Sequence, residues 1–106
     1  MSIALPVSFR PLARDDVESA IEWYGEERPA LALEFAEALD AVVARIGETP
    51  LQFPIAQGEV RRALLGRFPY GVFFTVVADK IHVLAVIHLH RNPDVWRKRS
   101  STEGAG

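Results

Sequence analysis

Three histidines and most of the cations of this 106-residue chain fall in its second half. His82, His88 and His90 occupy even positions of one apolar run, and Arg61, Arg62, Arg67 and Arg91 bracket that run. An imidazole titrates near neutrality and can move a proton in either direction, whereas guanidinium groups can hold phosphates or an acidic protein surface. His88 and His90, two residues apart, also have the spacing of half a zinc site. Cysteine is absent and two histidines make only half a site, so neither a metal nor any other cofactor is expected. The plainer reading makes His88 a polar group at the open face of a sheet, hydrogen-bonded locally. Farther along, Trp96 stands beside Arg97, Lys98 and Arg99. A large ring among cations, with little core left to enter, suits a contact with a binding target. The alternative folds that ring back over the end of the sheet.

The stretch that must position these side chains is 68–91, FPYGVFFTVVADKIHVLAVIHLHR. It reads as two strands, 72–77 and 81–89, folded back across Ala78, Asp79 and Lys80, because β-branched and aromatic residues crowd both sides of one polar break. In the second strand Ile81, Val83, Ala85, Ile87 and Leu89 are all apolar. A side-chain period of two puts them on one face and the three histidines on the other. We expect this strand inside the sheet, with its odd face packed on a helix and Ala85 close to that helix's backbone. Arg61 and Arg62 alternate, so one should point to each face. Phe68, Tyr70, Phe73 and Phe74 have the chemistry to stack on bases but are expected in the core.

Upstream, 5–12 alternates Val7 and Phe9 with Ser8 and Arg10, a short strand whose flanking prolines suit a sheet edge. Asp15 and Glu18 have capping-box spacing, and Val17, Ala20, Ile21 and Tyr24 follow at helical intervals. The pattern breaks over 25–28. Pro29 then suits the first turn of a second helix, whose buried stripe is Phe35, Leu39, Val42, Val43 and Ile46, and Gly47 and Pro50 close it. So short a connection implies a helical hairpin with apolar surface left for the sheet. Residues 49–59 read as a loop and 60–65 as a further strand. Pro93 stops the last strand, 94–99 is either one helical turn or extended, and 100–106 is expected to lack fixed structure. The implied order is strand, helix, helix, strand, strand, strand: an α/β (α+β) fold with a helical hairpin on a mostly antiparallel sheet.

Composition limits the rest. At 49% hydrophobic and 25% charged, the chain suits one compact domain, assigned here to residues 1–99. No apolar run approaches the roughly 20 residues that cross a bilayer, and the start lacks a signal-peptide pattern, so a cytoplasmic protein without a membrane partner is expected. The net charge of −2 hides a division. Residues 1–59 hold eleven Asp/Glu against four Arg, a net −7, and residues 60–106 hold eight Lys/Arg against three Asp/Glu, a net +5. The two halves either face different partners or pair with each other.

The stretches AIEWY at 20–24, TPLQFP at 49–54, VRRALLGRFPYGVFF at 60–74 and HLHRNPDVW at 88–96 together resemble the RelE/ParE toxins of bacterial type II toxin-antitoxin pairs, more closely the ParE-like branch. The resemblance runs nearly to Arg99. It implies a hetero-oligomer with a cognate antitoxin that neutralises the toxin, and growth arrest when that partner is missing. For the ParE-like branch it implies poisoning of DNA gyrase by binding; the aromatic and cationic cluster Trp96, Arg97, Lys98 and Arg99, with Arg91, is then the expected contact by its own chemistry. For the RelE-like alternative it implies ribosome-dependent cleavage of mRNA, with Arg61, Arg62, Arg67 and Arg91 as phosphate-binding charges and His88 or His90 as proton carriers. The lysines often found on the middle strands of ribosome-dependent members are absent here, the two lysines being Lys80 and Lys98.

Overall fold

The computed structural model describes residues 3–91 and 94–103. Its elements are β1 (Val7–Phe9), α1 (Pro11–Glu27), α2 (Pro29–Glu48), a 3-10 turn (Pro50–Gln52), β2 (Ile55–Gln57), β3 (Val60–Leu64), β4 (Tyr70–Val77), β5 (Lys80–His88) and α3 (Val95–Glu103). The sheet order is β1-β5-β4-β3-β2, with β1 parallel to β5 and every other pair antiparallel. β1 is an edge strand and β5 an interior one, as expected. Two elements go beyond the expected order: β2 within the presumed loop, and α3, which includes residues 100–103 of the segment expected to lack structure.

Helix α1 starts four residues before the Asp15 capping box. Pro11 takes its first position, where a missing N–H costs nothing, and the Arg10 N–H is used instead by the carbonyl of Val83 at 2.9 Å. A single extended residue, Arg28, ends α1 and begins α2. Around that turn Tyr24 stacks on Phe35 at 5.5 Å, and Phe35 meets Phe68 and Tyr70 edge-on at 5.3 and 5.1 Å. These aromatic contacts pin the helical hairpin to the sheet. The rest of that layer joins Ala13, Ala20, Leu39, Val42 and Ile46 of the helices to Val72, Phe74, Ile81 and Val83 of the sheet.

The hairpin turn is Ala78–Asp79, with φ of 50° and 62°, and Lys80 already belongs to β5. Two residues in the left-handed region give the turn whose twist matches the strands it joins. Farther along, the β4–β5 register slips: Phe74 pairs with Val83 but Phe73 pairs with Ala85, so Leu84 is an extra residue, a bulge. One inserted residue exchanges the faces of everything after it. Ile81 and Val83 therefore face the helices as expected, while Ala85 and Ile87 turn away, and Val86 takes their place in the helix-side layer. The expectation that Ala85 lies against the second helix is corrected on this ground. So is the shared face of the histidines: His82 lies opposite the helices beside the Ser8 hydroxyl at 3.3 Å, whereas His88 lies on the helix side against Tyr70.

A second apolar layer, Val60, Phe73, Leu84, Ala85, Ile87 and Trp96, fills the other face of the sheet beneath α3. Trp96 is 5% exposed and stacks on Phe73 with ring centres 4.7 Å apart. Burying so large a ring contributes on the order of 2 kcal/mol or more to holding α3 down. The exposed-tail placement of Trp96 is thereby replaced by the alternative, folding back over the sheet. Phe68, Tyr70, Phe73 and Phe74 are all buried, as expected of core aromatics.

Candidate functional site

Strand β5 outruns β1. Its last pair with β1 is Phe9–Val83, so among the described residues no strand lies beside one edge from Leu84 to His88. Asp16 of α1 and Arg99 of α3 meet at this edge. The Asp16 carboxylate accepts the Val86 N–H at 2.9 Å and both terminal nitrogens of Arg99, with Nη2 to Oδ1 at 3.1 Å and Nη1 to Oδ2. Arg99 Nη1 also donates to the Leu84 carbonyl at 3.4 Å. The two side chains are only 15% and 16% exposed. A forked, charge-assisted pair thus takes over where backbone pairing stops, and it ties α1 to α3.

Next to this brace, a cleft of about 240 Å³ opens between α1 and the end of β5, lined among others by Ser19, Trp23, Tyr70, His88 and Arg91. Arg91 donates to the Tyr70 hydroxyl at 3.3 Å and lies 4.9 Å over the ring of Trp23, itself 49% exposed. The Nδ1 of His88 accepts the backbone N–H groups of His90 and Arg91 at 3.1 and 3.2 Å, which leaves the ring proton on Nε2. Burial, with the charges of Arg91 and His90 adding to it, pushes the His88 imidazole below its ordinary pKa and so favours the neutral ring. Burial pushes the phenols of Tyr70 and Tyr24 up, against the opposing pull of Arg91. His90 is exposed beyond the strand, its ring 5.8 Å from that of His88. Among the described residues no three His, Cys, Asp or Glu side chains are placed to hold a metal ion.

The other predicted site residues lie elsewhere. Arg61 donates to the carbonyls of Phe53 at 2.7 Å and Leu51 at 3.3 Å, which fixes the turn before β2. Arg62 is exposed on the α3 side and lines a groove of about 460 Å³ with Ile55, Phe73, Leu89, Trp96 and Arg97. Arg67 pairs with Glu34 at 3.2 Å on the surface, an interaction of small net value. Arg97 and Lys98 are exposed, and Arg97 lies 3.5 Å from Asp94. The structure thus groups His88 with Arg91, and Arg62 with Trp96 and Arg97, on opposite sides of the sheet.

Asp16 and Trp23 lie outside the site residues expected from the sequence, and Tyr70 is expected there as a core aromatic. Asp16 has no local mark, because its partners stand 70 and 83 residues away. Trp23 did carry one: an indole on an otherwise acidic helix face, between Glu22 and Glu26.

The sequence profile of a family described as "ParE toxin of type II toxin-antitoxin system, parDE" matches residues 7–93. The chain belongs to the ParE toxin family. Its fold matches a solved structure described as the "Chromosomal ParDE TA system from P. aeruginosa", with a TM-score of 0.71 and 20% identity over 80% of this chain and 96% of that one. No curated protein matches the chain. The matched span begins at β1 and ends just before α3, so the family pattern covers the whole sheet and both long helices. Membership makes the chain a type II toxin and implies a cognate antitoxin. No described helix is long and apolar enough to cross a membrane.

Proposed function

We propose that this ParE-family toxin acts in the cytoplasm by binding and poisoning DNA gyrase, and that its cognate antitoxin neutralises it within a hetero-oligomer. The observation that carries this reading is the dispersal of the charges that a nuclease would need. In-line attack by a 2′-hydroxyl requires a base, an acid and positive charge converging on one phosphate. Here Arg61 serves backbone carbonyls, Arg67 serves Glu34, Arg62 lies across the sheet from Arg91, and His88 has its Nδ1 occupied.

The target contact is assigned to the groove beside α3. Arg97 lines it with Trp96, the exposed Lys98 adds charge on the same helix, and Arg99 holds that helix in place from behind. Arg91 is across the sheet from this cluster and falls to a separate surface. Incubating purified protein with gyrase and supercoiled DNA, and in parallel with translating ribosomes, tests the proposal. Gyrase inhibition that is lost in Arg97→Glu/Lys98→Glu is expected. Cut mRNA with unaffected gyrase would overturn it in favour of cleavage, a reading that draws on the Tyr70, His88 and Arg91 grouping. Residues 1–99 are proposed as the unit that carries the activity.

A further inference from the structure

From the geometry of the Trp23–Arg91 cleft we infer that it is the receptor for a carboxylate side chain of the cognate antitoxin, with Trp23 as the apolar rim of the contact. The inference rests on family membership, which implies the antitoxin, and not on the identity of the toxin's target.

The cleft offers donors with no acceptor to match. Arg91 spends one terminal nitrogen on Tyr70 and forms no ion pair with a carboxylate among the described residues. His88 can present only an N–H to its surroundings, because its acceptor nitrogen is taken by the chain itself. Ser19 adds an exposed hydroxyl. The one acid in the wall, Asp16, is already saturated by Arg99 and the Val86 N–H. A planar guanidinium beside a ring N–H suits a carboxylate, and tryptophan and arginine are among the residues enriched at interface hot spots.

Charge decides which kind of partner brings the anion. Glu22 and Glu26 flank Trp23 on its outer side, and Asp16 stands behind. A phosphate backbone would bring repeated negative charge against these acids, whereas a protein segment can place one carboxylate beside an apolar residue. The cleft also lies on the seam between the acidic half and the basic half of the chain.

The test uses the full chain and the antitoxin encoded beside it. Dissociation constants are measured by calorimetry for the parent, Arg91→Gln, Trp23→Ala and the control Lys80→Ala in the hairpin, with melting curves to confirm folding. Both cleft variants are expected to weaken the complex by roughly 30-fold or more, as hot-spot truncations do, with Lys80→Ala unchanged. Replacing each Asp and Glu of the antitoxin with alanine should then reveal one whose effect disappears in Arg91→Gln. Should a cleft variant prove unfolded, Arg91→Lys, which keeps the charge and loses the fork, must still weaken binding. Unchanged affinity in the cleft variants, or losses that couple to no antitoxin carboxylate, would overturn the assignment. So would full antitoxin affinity with lost toxicity, or loss of binding to a single-stranded RNA probe in Arg91→Gln. Failure of gyrase inhibition in the parent leaves all these measurements intact, so the two proposals fail separately.

Discussion

Replacing Asp16 with alanine removes one carboxylate that serves two elements at once. The Arg99 guanidinium, 16% exposed, would keep only its long contact to the Leu84 carbonyl, and the Val86 N–H would lose an acceptor at 2.9 Å. Breaking a buried ion pair from one side costs about 3–5 kcal/mol, and the exposure here moves the value to the low end. An orphaned backbone N–H adds about 1 kcal/mol where water reaches it poorly. The expected loss is therefore about 3–4 kcal/mol, a large share of the 5–15 kcal/mol typical of a whole domain. Asp16→Asn keeps an oxygen for Val86 and should lose about 2 kcal/mol, the value of the charge-assisted part. Urea unfolding of both variants in a Trp23→Phe background makes Trp96 the sole indole. Its emission should shift to the red as α3 loosens, before the global transition. Arg99→Met should show a coupling to Asp16→Ala of about 2 kcal/mol in a double-mutant cycle. Asp16→Ala within about 0.5 kcal/mol of the parent, or strict additivity with Arg99→Met, would refute the brace.

Three further outcomes follow from particular positions. Because the folded chain resists protonating His88, the unfolded chain takes up that proton first as pH falls below about 6.5, so this contribution is complete above that pH and declines below it. His88→Asn, whose amide oxygen can replace Nδ1, should lose less of its urea midpoint between about pH 7.5 and about pH 5.5 than the parent does; an equal loss would discard the role given to His88. Ala85→Leu should cost about 1–3 kcal/mol by overpacking the layer under α3, and it should disturb Trp96 fluorescence while leaving the helical hairpin unaffected. Ala78→Gly relieves a side chain held at φ 50° and should raise stability by about 0.5 kcal/mol, read as a higher melting temperature.

Local sequence determined most of the architecture. The stripe Phe35, Leu39, Val42 and Ile46 is buried as its spacing requires, Pro29 opens α2, and the β4–β5 hairpin turns where the polar break stands. These features depend on residues a few positions apart, and period and turn chemistry record such relations directly. What tertiary structure decided begins at Leu84. The strand's apolar residues occupy both parities from Val83 to Ile87, so no alternation marks where an extra residue enters, and the bulge reassigns Ala85 and His88 to the opposite faces. The tail shows the same limit. Trp96 looked exposed because no partner was visible within its own segment, but the second face of the sheet, closed by Phe73 and Leu84, offered a site 23 residues back along the chain. Asp16 met Arg99 only because β1 ends at Phe9 and leaves the β5 edge unpaired, and the length of one strand relative to another is set by packing rather than by any local pattern.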